Sequence, residues 1–175
     1  KTSARENDYL PVLQDLRELH GRMGRFRSAL SIDWYRADSR AESTLLERVP
    51  PVDQARTRQA WADRSADRGK PYYPRAAELY EAAGLIAHAA ICRERASDQR
   101  AARTLWTRLA DGLARDGADR YAAGLARFNV ARTAVELGDR SGARAATVAA
   151  VHLLEDAADR YDHAGQRERA FDCFQ

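Results

Sequence analysis

A glycine followed five residues later by an alanine occurs at Gly24/Ala29, Gly84/Ala89, Gly117/Ala122, Gly138/Ala143 and Gly165/Ala170. This spacing constrains the fold more than any other feature. Glycine ends a helix where the chain must reverse, often with positive φ, and a small side chain one turn into the next helix lets the two backbones pack closely. Two copies agree further: Tyr80-Glu81-Ala82-Ala83-Gly84-x4-Ala89-x2-Cys92 recurs as Tyr161-Asp162-His163-Ala164-Gly165-x4-Ala170-x2-Cys173. Gly138, so soon after Gly117, is expected to make a different kind of turn.

Between these turns the residues favour helix. Ala, Leu, Arg and Glu dominate, Val, Ile and Thr are sparse, and no alternating strand pattern is present, so the chain is all-α. Tyr9, Val12, Leu13, Leu16 and Leu19 form one apolar face behind a Ser3-x-x-Glu6 capping box, and the helix breaks near Gly21 to Gly24. A second helix runs from Arg25 with Phe26, Ala29, Leu30 and Trp34 on one side. Ser39-x-x-Glu42 caps a short helix carrying Leu45, Leu46 and Val49 that Pro50-Pro51 must end. Asp53 to Arg64 makes another around Ala60-Trp61, and Ser65 to Pro71 is turn-prone. The spacing then predicts helices over 74–83, 85–96, 99–115, 118–137 and 143–164, with a last one opening at Arg167. Leu105, Trp106, Leu109 and Leu113 supply the face to bury on one of these, and Tyr121, Leu125, Phe128, Ala131 and Val135 on the next.

The order aromatic, glycine, alanine, aromatic, filled by Tyr161, Gly165, Ala170 and Phe174, resembles the turn of the tetratricopeptide (TPR) family. Trp106, Leu109, Ala110, Leu113, Gly117 and Ala122 are a second match, including the early tryptophan of that family. Leu13, Leu16, Gly24, Phe26 and Ala29 are a third. Gly84 and Gly117 stand 33 residues apart, against about 34 in the family. The resemblance implies antiparallel helix pairs stacked as an α-solenoid. Residues 1–68 would hold N-terminal helices, one TPR-like pair and an irregular pair, 69–73 a short linker, and 74–175 further pairs in one continuous solenoid.

Composition removes several function classes. The 29 basic and 26 acidic residues leave a formal charge of +3 with signs alternating along the chain, which describes a solvated, ion-paired surface and not a phosphate-binding track. All basic residues but Lys1 and Lys70 are arginines, a usage that suits a GC-rich bacterial genome. Arg100, Arg103, Arg108 and Arg115 share one helix, but Asp98, Asp111 and Asp116 are mixed with them, so a nucleic-acid-binding module is only the second alternative. No apolar run approaches the roughly 18 to 20 residues that span a bilayer, and no signal core follows the first residues, so a cytoplasmic protein without membrane attachment is expected. A first residue other than Met and a helix still open at Gln175 are expected of part of a longer polypeptide.

Chemistry is sparsely equipped. Cys92 and Cys173 form no CxxC pair and read as buried apolar residues. His88 and Cys92 lie one turn apart, and His163 and Cys173 flank Gly165, but a structural zinc needs four ligands, so no metal or cofactor is expected. His20 and His152 stand alone. No GxxxxGK[ST], GxGxxG, HExxH or GxSxG motif occurs, and Asp33, Glu155 and Asp156 are ordinary helix-surface acids, so no catalytic residue is assigned and the chain is expected not to be an enzyme.

By the resemblance, the first helix of each pair lines a groove that holds another protein or peptide. The matching positions are Gln14, Glu18 and Arg22, then Glu78 and Glu81, then Thr104, Asp111 and Arg115, then Glu155, Asp159 and Asp162. The Lys and Asn with which the family clamps a C-terminal carboxylate are absent there. The expected function is a non-enzymatic interaction scaffold of a larger regulatory or signalling protein, with self-association as the first alternative.

Overall fold

In the computed structural model, which describes residues 4–35, 46, 48–64, 71–117 and 119–174, the chain is built from helices, and no strand is found among the described residues. The helices are α1 (Ala4–Arg22), α2 (Phe26–Tyr35), α3 (Pro51–Arg64), α4 (Tyr72–Ala82), α5 (Ile86–Arg95), α6 (Gln99–Asp116), α7 (Arg120–Glu136), α8 (Arg140–His163) and α9 (Arg167–Asp172). From α3 onward each packs chiefly on its neighbours in sequence, as does α1 on α2. The Ser3/Glu6 and Ser39/Glu42 capping boxes, Leu45, Lys70 and most of the Ser65 to Pro71 connection lie outside the described residues, as do the side chains of Tyr9, Leu30, Asp33 and Trp34. The helix expected to open at Pro74 begins at Tyr72, and the expected linker therefore gives up Tyr72 and Tyr73 to α4.

One local device reverses the chain repeatedly. At Gly24, Gly84, Gly138 and Gly165 the residue after the helix has positive φ, and the next N–H reaches back to a carbonyl five residues earlier: Arg25 to His20, Leu85 to Tyr80, Asp139 to Ala134, Gln166 to Tyr161. Gly138 is thus the same turn as Gly84, against expectation, and Gly117 is the different one. Gly117 N–H bonds Leu113 C=O, and one further residue precedes the N-cap Asp119. That extra residue shifts the small-residue site by one, so Ala123 is fully buried and Ala122 only half-buried.

A further copy of the turn carries no glycine. Ser97 adopts φ 64°, Asp98 N–H bonds Arg93 C=O, and Ala102, five residues on, is fully buried. Asp98, Asp119 and Asp139 then cap α6, α7 and α8 by accepting from Ala101, Ala122 and Gly142 N–H.

The main core runs from Ala55 on α3 to Ala146 on α8 around Tyr73, Tyr80, Cys92, Leu105 and Trp106, and a second cluster joins Ala29, Leu46, Val49 and Trp61. Tyr80 and Trp106 are buried with their polar atoms satisfied, Tyr80 donating to Gln59 Oε1 (3.0 Å) and Trp106 to Glu94 Oε1 (2.6 Å). Trp61 meets Tyr72 edge-on across the turn-prone stretch. Around this core, arginine–carboxylate pairs link helices two apart: Arg95 to Asp63, Arg108 to Glu81, Arg132 to Glu94 and Arg103 to Asp139, the N-cap of α8.

α7 departs from expectation. Its buried residues are Ala123, Gly124, Ala126, Val130, Ala131, Thr133 and Ala134. Of the face expected to be buried only Ala131 is so, and Leu125, Phe128 and Val135 are exposed. α7 lies between α6 and α8, and alanine and glycine on its inner side let both approach closely. Gly124 shows how closely, since a Cβ there would stand 2.8 Å from Leu154 Cγ and Cδ2. Thr133 is admitted because its hydroxyl donates to the Asn129 carbonyl at 2.9 Å. On α1 likewise, Val12, Leu16 and Leu19 are exposed, since α2 is the helix packed against it. Phe174, expected as a packing position of the last unit, is exposed because no described element covers it.

Candidate functional site

A protein surface spends exposed aromatic and aliphatic side chains sparingly in contiguous groups. Here Leu125 (42% exposed), Phe128 (54%) and Val135 (64%) follow one another along the outer face of α7 at helical spacing, and Val148 and Val151 are exposed on α8. Gly124 against Leu154 and Ala150, and Arg120 3.1 Å from Asp156, set the antiparallel register of the two helices. That register puts Phe128 level with Val148 and Leu125 level with Val151, all four of them exposed. These four apolar side chains are exposed on two adjacent helices, which also expose Arg132 and Glu136 on α7 and Arg144 and Glu155 on α8. Val148 and Val151 escaped the sequence reading. Their signal was two valines three apart in a helix whose buried positions, Ala143, Ala146, Ala150, Ala157 and Ala158, are all alanine.

The groove residues read from the repeat are only partly brought together. Glu78 pairs with Arg75 on α4, and Glu81 reaches Arg108 on α6 at 2.9 Å, between Thr104 and Asp111 on that helix. Asp111 pairs with Arg127 of α7, and Arg115 Nε donates to the Asp111 carbonyl, so the α4 and α6 positions form one neighbourhood. Gln14 donates to Glu18 on α1, where Arg22 is exposed in the last turn. On α8, Glu155 lies 3.6 Å from His152, the Asp159 carbonyl contacts His163 Nδ1 at 2.6 Å, and the Asp162 carbonyl accepts from Gly165 N–H. Arg103 and Arg108 of α6 pair with the carboxylates of Asp139 and Glu81, whereas Arg115 donates to the main-chain carbonyl of Asp111.

His88 and Cys92 part company: His88 is exposed and tilted against the Tyr80 ring, whereas Cys92 is buried and its thiol is pushed up to about 11 by desolvation. Burial likewise raises the Cys173 thiol. Tyr73 is raised first by burial and then by its hydrogen bond to Asp63. Asp156 is shared by Arg120 and Arg160. Among the described residues no three His, Cys, Asp or Glu side chains converge as metal ligands, and no helix is long and apolar enough to cross a membrane. The chain matches no protein-family model, no curated protein and no solved structure.

Proposed function

We propose that this chain is a non-enzymatic, TPR-like scaffold that binds another protein, as a module of a larger regulatory or signalling protein acting in the cytoplasm of a bacterium. The observation that carries the reading is the exposure of Leu125, Phe128, Val148 and Val151 on adjacent helices, which together would form an apolar patch, while most of the buried residues of the two helices are alanine or glycine. Such a patch with a charged rim is the anatomy of a protein-binding surface. Support for a solenoid comes from the sequential helix packing, the recurring turn and the arginine–carboxylate links between helices two apart. A second, charged contact area would lie where Glu81, Asp111 and Arg115 meet. Affinity capture with Phe128→Ser/Val148→Ser is the test: partners recovered by the unaltered chain are lost, and full retention of all of them overturns the reading. Charge reversal at Asp111, Arg115 and Asp159 tests the groove separately.

Self-association draws on a different observation, a second exposed apolar stripe on α1 formed by Val12, Leu16, Leu19 and Met23. Two such surfaces on one chain allow head-to-tail contacts. Light scattering after size exclusion decides this, and a strict monomer at high concentration eliminates it.

A further inference from the structure

At the end of the α7/α8 pair remote from Gly138, where α9 folds back, the surface opens into a cleft of about 430 Å³. Its floor is buried Ala157, and its walls carry Tyr121 and Tyr161, both half-buried. Three arginines line it: Arg120, Arg160 and Arg169. One carboxylate outside the lining, Asp156, serves two of them, with Oδ2 at 3.3 Å from Arg160 and at 3.1 Å from Arg120 Nε, which is not aligned to donate to it. Among the described residues Arg169 meets no carboxylate. It donates to Gln166 Oε1 (3.2 Å) and lies 5.8 Å over the Tyr161 ring, which holds the cation on an aromatic face. The one acid in the lining, Asp119, has Oδ1 committed to Ala122 N–H.

We propose that this cleft receives a single carboxylate side chain, next to an aromatic residue, from a peptide segment of the protein partner. The inference rests on the reading of the chain as a protein-binding scaffold and adds the chemistry of what it holds. Charge selects the ligand: three arginines against Asp119 and Asp156 leave an excess of one positive charge, which matches a carboxylate. A phosphomonoester, at roughly −1.5 to −2, over-neutralises it. A nucleic acid needs several cations in a row, and Asp119 and Asp156 interrupt these. Guanidinium is suited to carboxylate because its planar donors match the two oxygens, and the tyrosine rings supply apolar walls for the neighbouring aromatic side chain. Arg160, Arg169, Gln166 and Ala164 are all exposed, so the cleft covers a ligand on one side only. That geometry suits a side chain anchored by a larger protein contact better than a free small molecule, which needs enclosure.

The test titrates the full chain with an N-acetylated, C-amidated Trp-Glu-Gly peptide and its Trp-Gln-Gly counterpart, following tyrosine and backbone amide NMR shifts. The Glu peptide is expected to bind with Kd on the order of 1 mM and to shift Tyr121 and Tyr161. The Gln peptide should bind about fivefold or more weakly, the share of a charge-assisted contact. Arg160→Gln and Arg169→Gln should each reduce the Glu peptide to the Gln level with an unchanged thermal melt, while Arg75→Gln on α4 leaves it untouched. Equal binding of the two peptides, shifts confined to other residues, or Arg variants that bind like the parent overturn the proposal. So does displacement of the Glu peptide by inorganic phosphate at lower concentration than by acetate, or by a short single-stranded DNA in preference to either. Partner capture abolished by Phe128→Ser/Val148→Ser but indifferent to both Arg variants rejects this site and leaves the scaffold reading standing. Retention of every partner by both sets of variants removes the scaffold reading itself.

Discussion

Helices α6 and α7 are nearly equal in length and adjacent in the fold, yet they solve the packing problem in opposite ways. α6 turns Leu105 and Trp106 inward, with Leu109 packed against the same core. α7 turns alanines, Gly124, Val130 and Thr133 inward and leaves Leu125, Phe128 and Val135 outside. Both helices pack between two neighbours, but on α7 the small inner residues permit a close approach, seen where Gly124 meets Leu154 of α8. α6 instead buries an indole tied to Glu94, which Arg132 of α7 also holds. On α6 the large apolar side chains Leu105 and Trp106 are buried, and on α7 only Val130 is, while Leu125, Phe128 and Val135 are exposed.

Several substitutions break or sharpen that contrast. The largest loss is expected at Trp106→Ala, which empties a buried site and leaves Glu94 to Arg132 alone, at about 3–5 kcal/mol by chemical denaturation. Next, Gly124→Val forces a branched side chain against Leu154 and should cost about 1–3 kcal/mol. If it costs nothing, the close approach of α7 and α8 is wrong. Ser97→Gly relieves a left-handed residue and should stabilise by up to about 1 kcal/mol in the same assay, because glycine adopts this φ without the Cβ conflict. Phe128→Ser should change stability by no more than about 0.5 kcal/mol while weakening partner capture, the reverse of Trp106→Ala.

The smallest effect is on the acid limb. Asp139 is held below the usual carboxylate range by the hydrogen bond from Gly142 N–H and then by Arg103. A depressed carboxyl contributes stability above its unfolded pKa of about 3.9, and that contribution is lost as pH falls through the lower folded value. Asp139→Asn should therefore flatten the fall in melting temperature below about pH 4, and an unchanged acid limb would show that the cap carries no pH-dependent stability.

The turns were legible because their determinants are local. Glycine at five reversals and a small residue one turn later follow from backbone sterics within a few residues. The reversal at Ser97 escaped that rule because serine can occupy a left-handed position when both flanking helices impose it, although Asp98 and Ala102 marked the cap and the small site. The likeness assumed between Gly117 and the other turns failed on a single extra residue, which spacing alone could not translate into geometry. Of the candidate surface, Leu125, Phe128 and Val135 were recognised as one face but assigned to the core. Periodicity reports that a face exists and carries no sign for inside or outside when the opposite face is alanine, itself small and apolar.

The amino-acid order alone therefore determined the all-helical class, most of the reversals and most of the alanine sites, since helix propensity, left-handed caps and close backbone approach act over one or two turns of chain. Only the tertiary structure decided which side of α7 faces outward, which acids its arginines meet and where a cleft opens beside α9. Those outcomes depend on residues far apart in sequence, Gly124 with Leu154, Arg132 with Glu94 and Arg120 with Asp156, whose meeting is set by how the helices stack.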